Sequence, residues 1–226
     1  MAKAPRSFLL EQLRAQAHAV AAKRLQQLKL SHEAIDRLDR SLHAVFQYFD
    51  EACRLLQVIH PPIDREYALP DIARYEGLTF GRGNVTFRKQ RLQERDVYDY
   101  IVVYYNLTGA APPPFRVGIG HSPEIERALN AANIEFSCDT DSNVRGGATS
   151  NVIRIAPGLR CELRFDPDFE SERIVATLRN VDRFEPVILD FQTEALDTQA
   201  LDDLVNLMLG KPSQFLLRAP LRGFGR

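Results

Sequence analysis

The 226-residue sequence contains no run of about 18 apolar residues, so no segment of it reads as a membrane-spanning helix. A secretion signal is lacking too. Ser7-Phe8-Leu9-Leu10 is too short for the apolar core of such a signal, and Glu11, Gln12 and Arg14 follow at once. Cysteine is scarce: Cys53, Cys138 and Cys161 are odd in number and far apart. That argues against a disulfide framework and for reduced thiols in structural settings. Strong charge of one sign is also missing. With 29 Lys and Arg against 30 Asp and Glu, the formal net charge is -1, and the whole chain has no electrostatic pull towards nucleic acid or anionic lipid. These absences lead to the expectation of a cytoplasmic protein. A composition of 45% hydrophobic and 26% charged residues is that of a globular chain, long enough to bury a core.

Chemistry-bearing motifs are lacking as well. The five histidines, His18, His32, His43, His60 and His121, show no metal-ligand spacing. Asp139-Thr140-Asp141-Ser142-Asn143 begins like a calcium loop, but Val144 stands where the sharp turn needs glycine and Ser150 where the bidentate acid belongs. A polar turn is the simpler reading. Gly81-Arg82-Gly83-Asn84 and Arg145-Gly146-Gly147-Ala148-Thr149 are glycine-rich, yet neither continues into a phosphate-cradling loop before a helix. Gly81 and Gly83 fit a β-bulge or tight bend better. No nucleophile elbow and no distinctive carboxylate pair is present, so the expectation is no catalytic residue, no metal and no cofactor.

What the sequence does contain is a long apolar periodicity. Ile35, Leu38, Leu42, Val45, Phe49, Ala52, Leu56 and Ile59 follow one another in steps of three and four and stop at His60-Pro61-Pro62. This spacing predicts a helix with one continuous apolar stripe. An earlier alanine-rich segment, residues 6–29, reads as a helix with Leu10, Leu13, Ala17, Ala21, Leu25 and Leu28 on one side. Ser31 is a candidate N-cap for the second helix. Residues 30–32 contain neither proline nor glycine, so one continuous helix stays open as the alternative to a hairpin. The flanks of the stripe divide it. Asp36, Arg37, Asp39 and Arg40 make it narrow at the start, whereas Phe46, Tyr48, Cys53 and Leu55 widen it later. The second half is therefore expected to lie on a β domain, and the first half to meet another helix or another subunit.

From Gly77 the pattern turns to period two. Strands are predicted around 85–87, 97–107, 115–119, 152–155, 161–165, 174–178 and 187–191. Residues 97–107 are apolar on both faces, which predicts a central, covered strand. Arg160, Glu162 and Arg164 alternate with Cys161, Leu163 and Phe165, which predicts one wet face. Ser122-Pro123-Glu124 starts a short helix, and a second runs from about Asp197 to Gly210-Lys211-Pro212. The fold class that follows is α+β: an N-terminal helical arm or hairpin over residues 1–60, a strap over 61–76, a mainly antiparallel β domain with two further short helices over 77–212, and a basic tail over 213–226.

Two functions follow. The first is a non-catalytic interaction or scaffold protein, self-associating or joining a larger assembly through Leu10, Leu13, Ala17, Leu28, Ile35, Leu38 and Leu42. The second is a nucleic-acid-binding accessory protein. It would use the first helix, the C-terminal tail, and Arg82, Arg88, Lys89, Arg91 and Arg95 around the first hairpin, with tyrosines at hand to stack bases. Against this second reading, the acidic stretch 182–203 offers the basic segments a partner within the chain or across a dimer.

Overall fold

A computed structural model describes residues 8–142 and 148–224, with side-chain surroundings given for Gln16 and for residues 32–141 and 150–222. The chain is α+β. It opens with a single helix, α1 (Phe8–Ile59), of 52 residues, roughly 78 Å long at the α-helical rise. The helical hairpin is thus replaced by one rod. No proline or glycine breaks residues 30–32, and Ser31 lies within the helix rather than at its start. The end is where the prolines require it. His60 takes the left-handed conformation (φ 48°), its N–H bonds back to the Leu56 carbonyl at 2.9 Å, and its ring Nδ1 lies 2.9 Å from the Phe80 carbonyl.

Eleven strands follow among the described residues: β1 (Tyr67–Leu69), β2 (Ala73–Tyr75), β3 (Thr79–Leu92), β4 (Arg95–Thr108), β5 (Phe115–Gly118), β6 (Phe136–Ser142), β7 (Ala148–Ile155), β8 (Gly158–Asp168), β9 (Arg173–Arg179), β10 (Val187–Gln192) and β11 (Leu221–Phe224). Two short helices, α2 (Ser122–Ala131) and α3 (Thr198–Met208), interrupt them. Six strands form an antiparallel sheet in the order β11-β10-β9-β8-β4-β3, and three more form a small sheet in the order β5-β7-β6. The hairpin β1-β2 occupies the strap, which also bonds to the sheet edge through Ile63 N–H to the Leu78 carbonyl.

One face of the large sheet is the core. Ile101, Val103, Tyr105 and Leu107 of β4 stand opposite Phe165, Leu163, Cys161 and Leu159 of β8, and Ala176, Leu178, Leu189 and Phe191 extend the same layer. Helix α1 covers it through Ala34, Ile35, Leu38, Leu42, Val45, Phe49, Cys53 and Leu56, all buried. Each of the larger apolar side chains among them is worth about 1.5–3 kcal/mol of apolar transfer, so this helix is a structural part of the domain. Its seat on the sheet depends on one missing atom: a Cβ at Gly83, beside the β3 bulge, would stand 2.8 Å from the Cys53 sulfur. The bulge predicted from Gly81 and Gly83 is present as a register shift between Phe80 and Gly83.

Helix α3 completes the cover. Tyr48 of α1 donates to Asp202 at 2.6 Å, and Phe191 meets Phe215 with ring centroids 5.1 Å apart. Asp197 caps α3 by accepting from Ala200 N–H at 2.8 Å. Gly210 ends it at φ 72°, where a Cβ would strike Arg65 at 2.8 Å. The helix predicted to start at Ser122-Pro123-Glu124 is capped one residue earlier than Ser122. His121 holds the cap position, Pro123 falls in the first turn, and the Ser122 hydroxyl instead donates to Glu126 at 2.7 Å.

The other face of the large sheet is the wet one predicted for residues 160–164. It departs from expectation at β4, whose second face is covered less than a central strand requires. Val102 is buried, but Tyr104 is 41% exposed, and Tyr100 is shielded by the Arg164 guanidinium 4.2 Å above its ring.

Candidate binding surfaces

The first half of the α1 stripe is the main point at which the structure differs from the sequence reading. Ile35, Leu38 and Leu42, expected to face a partner, are 3%, 0% and 0% exposed within the chain itself. The charged flanks that made the seam look narrow clasp the sheet. Asp39 accepts from the Tyr98 N–H at 2.8 Å, Arg37 pairs with Glu172 at 2.7 Å, and Asp36 pairs with Arg95. Further along, Leu55 is exposed rather than widening the buried face. The remaining residues of the expected partner surface, Leu10, Leu13, Ala17 and Leu28, belong to α1, but their side chains lie outside the described surroundings. Ala34 is the first described residue of α1 to be buried.

The basic hairpin is built from β3 and β4, and its cations are divided among different tasks. Arg95 goes to Asp36, Arg88 pairs with Asp99 at 3.3 Å, and the Lys89 ammonium stands 4.9 Å above the Tyr98 ring. Tyr98 is itself buried beneath α1, its hydroxyl 3.0 Å from His43 Nδ1, so it offers no platform for a base. Phe87 packs edge-on against Phe46 and Tyr98 at 5.1 and 5.4 Å. Arg82 and Arg91 form no ion pair among the described residues. Two of the five residues, Arg88 and Arg95, are thus paired with acids of the same chain.

The C-terminal segment folds back instead of trailing. Phe215 is fully buried, and β11 pairs with β10. Its arginines meet the acidic stretch: Arg218 reaches Asp203 at 2.7 Å, and Arg222 reaches Asp190 at 2.9 Å and Asp168 at 3.4 Å. Basic and acidic segments thus meet within the chain, as weighed from the charge pattern. Hydrogen bonds from the Ser171 hydroxyl and N–H, helped by Arg222 and the Glu170 N–H, hold the Asp168 carboxyl below its ordinary range.

Asp139 and Asp141, the first acids of the calcium-like motif, lie in β6 and face Arg154 and Arg116 across strands. Asn143 and Val144 lie outside the described residues. Two of the three cysteines are buried. Burial pushes the thiols of Cys53 and Cys161 up to about 12, and Cys161 donates to the Asn180 carbonyl at 3.0 Å. Cys138 is exposed.

No sequence signal marked the polar cluster that anchors the strap. Tyr67 donates to the Val181 carbonyl at 2.8 Å, Arg65 donates to the Val181 and Leu207 carbonyls, and Arg65 faces Asp182 at 3.4 Å. Burial raises the Tyr67 phenol well above its usual range, which keeps it a neutral donor. The cluster ties the β9–β10 turn to the strap and to the end of α3. Its groups are consumed by backbone carbonyls, so it is structural.

No protein-family model matches the chain, and neither a curated protein nor a solved structure matches it.

Proposed function

We propose that this is a non-catalytic interaction protein that self-associates through the first half of α1, residues 8–31. The observation that supports this most is continuity. One unbroken helix joins a half that the β domain buries to a half, about 36 Å long, that carries its own leucine and alanine stripe in the sequence. Most helical stability in proteins comes from packing of an amphipathic face, and an apolar stripe is stabilised when something covers it. Charge favours a second copy as the cover. Residues 3–29 hold Lys3, Arg6, Arg14, Lys23, Arg24 and Lys29 against Glu11 alone, in a chain whose formal net charge is -1. The rest of each molecule is therefore acidic, and a basic arm finds its complement on the body of another copy. Nucleic-acid contact draws less support, because Arg88 and Arg95 of the hairpin and Arg218 and Arg222 near the C-terminus are engaged with acids of the same chain.

Sedimentation velocity on the full chain tests the reading. The wild type is expected to sediment as a dimer or larger species, and a Leu13→Asp, Leu25→Asp double variant as a monomer with an unchanged unfolding midpoint. A wild type that is monomeric throughout, or a double variant that still associates, would overturn it.

A further inference from the structure

Along most of the wet face of the large sheet, each arginine is spent on a neighbouring acid. Arg88 meets Asp99, Arg164 chelates Asp166 at 2.7 Å, Arg173 faces Asp190 at 3.5 Å, and Arg222 bridges Asp190 and Asp168. At one end that pairing gives way. There the sheet floor and a neighbouring loop flank an open cleft of about 750 Å³. Its floor is laid by strand register: Asn84, Tyr104 and Glu162 form one cross-strand row, and Asn106 and Arg160 form the next. Arg82, carried outward at the β3 bulge, stands on one side.

The opposite wall is Asn133, which takes the left-handed conformation (φ 52°) just after α2. Its position is fixed from below. The side chain of Asn180, 1% exposed, donates both to the Ala132 carbonyl and to the Arg160 carbonyl, each at 2.9 Å. One buried amide thus clamps the wall to the floor, and the cleft is held by the fold rather than formed by chance contact.

The groups lining it are unspent. Among the described residues, the side chains of Asn84, Asn106, Asn133, Tyr104 and Arg82 have no intramolecular hydrogen bond, and Arg160 has only a long contact to Glu135 at 3.8 Å. The cleft's single acid, Glu162, is shared with Arg179 at 3.9 Å. Within the lining two guanidinium groups stand against one carboxylate, and Glu135, 3.8 Å from Arg160, lies just outside it. Amides and a phenol supply donors and acceptors for hydroxyls, and the volume falls within the range of about 300–1,000 Å³ typical of small-molecule sites. Guanidinium groups bind planar oxygen pairs and phosphate oxygens by paired N–H donors.

We infer that this cleft binds a small, hydroxyl-rich phosphate monoester, a sugar phosphate or a nucleotide, with Arg82 and Arg160 taking the phosphate. The inference does not depend on the helical arm. Isothermal titration of the full chain at low ionic strength, with AMP, ribose 5-phosphate and inorganic phosphate as separate probes, tests it. Binding of AMP or ribose 5-phosphate is expected, the tighter of the two identifying the source. Arg82→Ala and Arg160→Ala should each weaken that binding at least tenfold, and Arg127→Ala, on the exposed face of α2, should leave it unchanged. Glu162→Gln should tighten it several-fold by removing the opposing charge, a gain that a damaged fold would not give. No heat with either ester, binding equal to that of inorganic phosphate, or binding indifferent to both arginine variants would overturn the inference.

Discussion

Burial moves the two core thiols far from the range in which a cysteine ionises. Cys53 lies against the Gly83 backbone, and Cys161 sits under the β9–β10 turn; both are pushed from 9.0 to about 12, chiefly by desolvation. Since the folded value is raised, the protonated thiol is favoured by folding. Its contribution to stability is complete below pH 9 and is lost as pH rises from 9 towards 12. Tyr75, raised from 10.0 to about 12 by the same cause, acts in the same direction over the upper part of that window. The urea midpoint should therefore fall steadily from pH 9 upward, and Cys161→Ala, though less stable at neutral pH, should show a shallower fall. A midpoint flat to pH 11 in the wild type would contradict this.

At the scale of elements, the sequence was legible wherever local chemistry decided the outcome. The helix stop at His60-Pro61-Pro62, the start near Asp197 and the Gly210 terminus of α3, the bulge at Gly81–Gly83 and the wet face of β8 all depend on neighbours within a few residues. The first half of the stripe was misread because Asp36, Arg37 and Asp39 find their partners, Arg95, Glu172 and the Tyr98 N–H, more than fifty residues away. Charges that bracket a narrow seam look the same whether they face water or clasp a sheet. Strands β1, β2, β6 and β11 carry no clear sequence signal because they are short or polar and depend on their partners, β1 and β2 on each other, β6 on β7 and β11 on β10. The cleft left no local signal either, since cross-strand register and Asn180 assemble it from distant segments.

The reassignment of the stripe carries its own consequence. Leu42→Ala removes a fully buried side chain between α1 and the sheet, and should cost about 2–5 kcal/mol, seen as a lower urea midpoint with little change in slope. A change below about 0.5 kcal/mol, the level of ordinary surface substitutions, would mean that the helix does not pack there.

For the whole molecule, the consequence is that the boundary between arm and domain lies inside a helix. Taking residues 1–60 as a detachable unit would strip the sheet of Ile35 to Leu56 and expose its apolar face. The separable portion is proposed to end near Ser31. The β domain with residues 32–59 carries the core, the strap cluster and the cleft, whereas residues 8–31 are proposed to bring copies together. The direct test is sedimentation velocity on a chain that begins at Ser31, run beside the full chain. The account predicts a folded monomer from the shortened chain and a dimer or larger species from the full one. A shortened chain that still associates as the full chain does, or that sediments as an unfolded polymer, would contradict it.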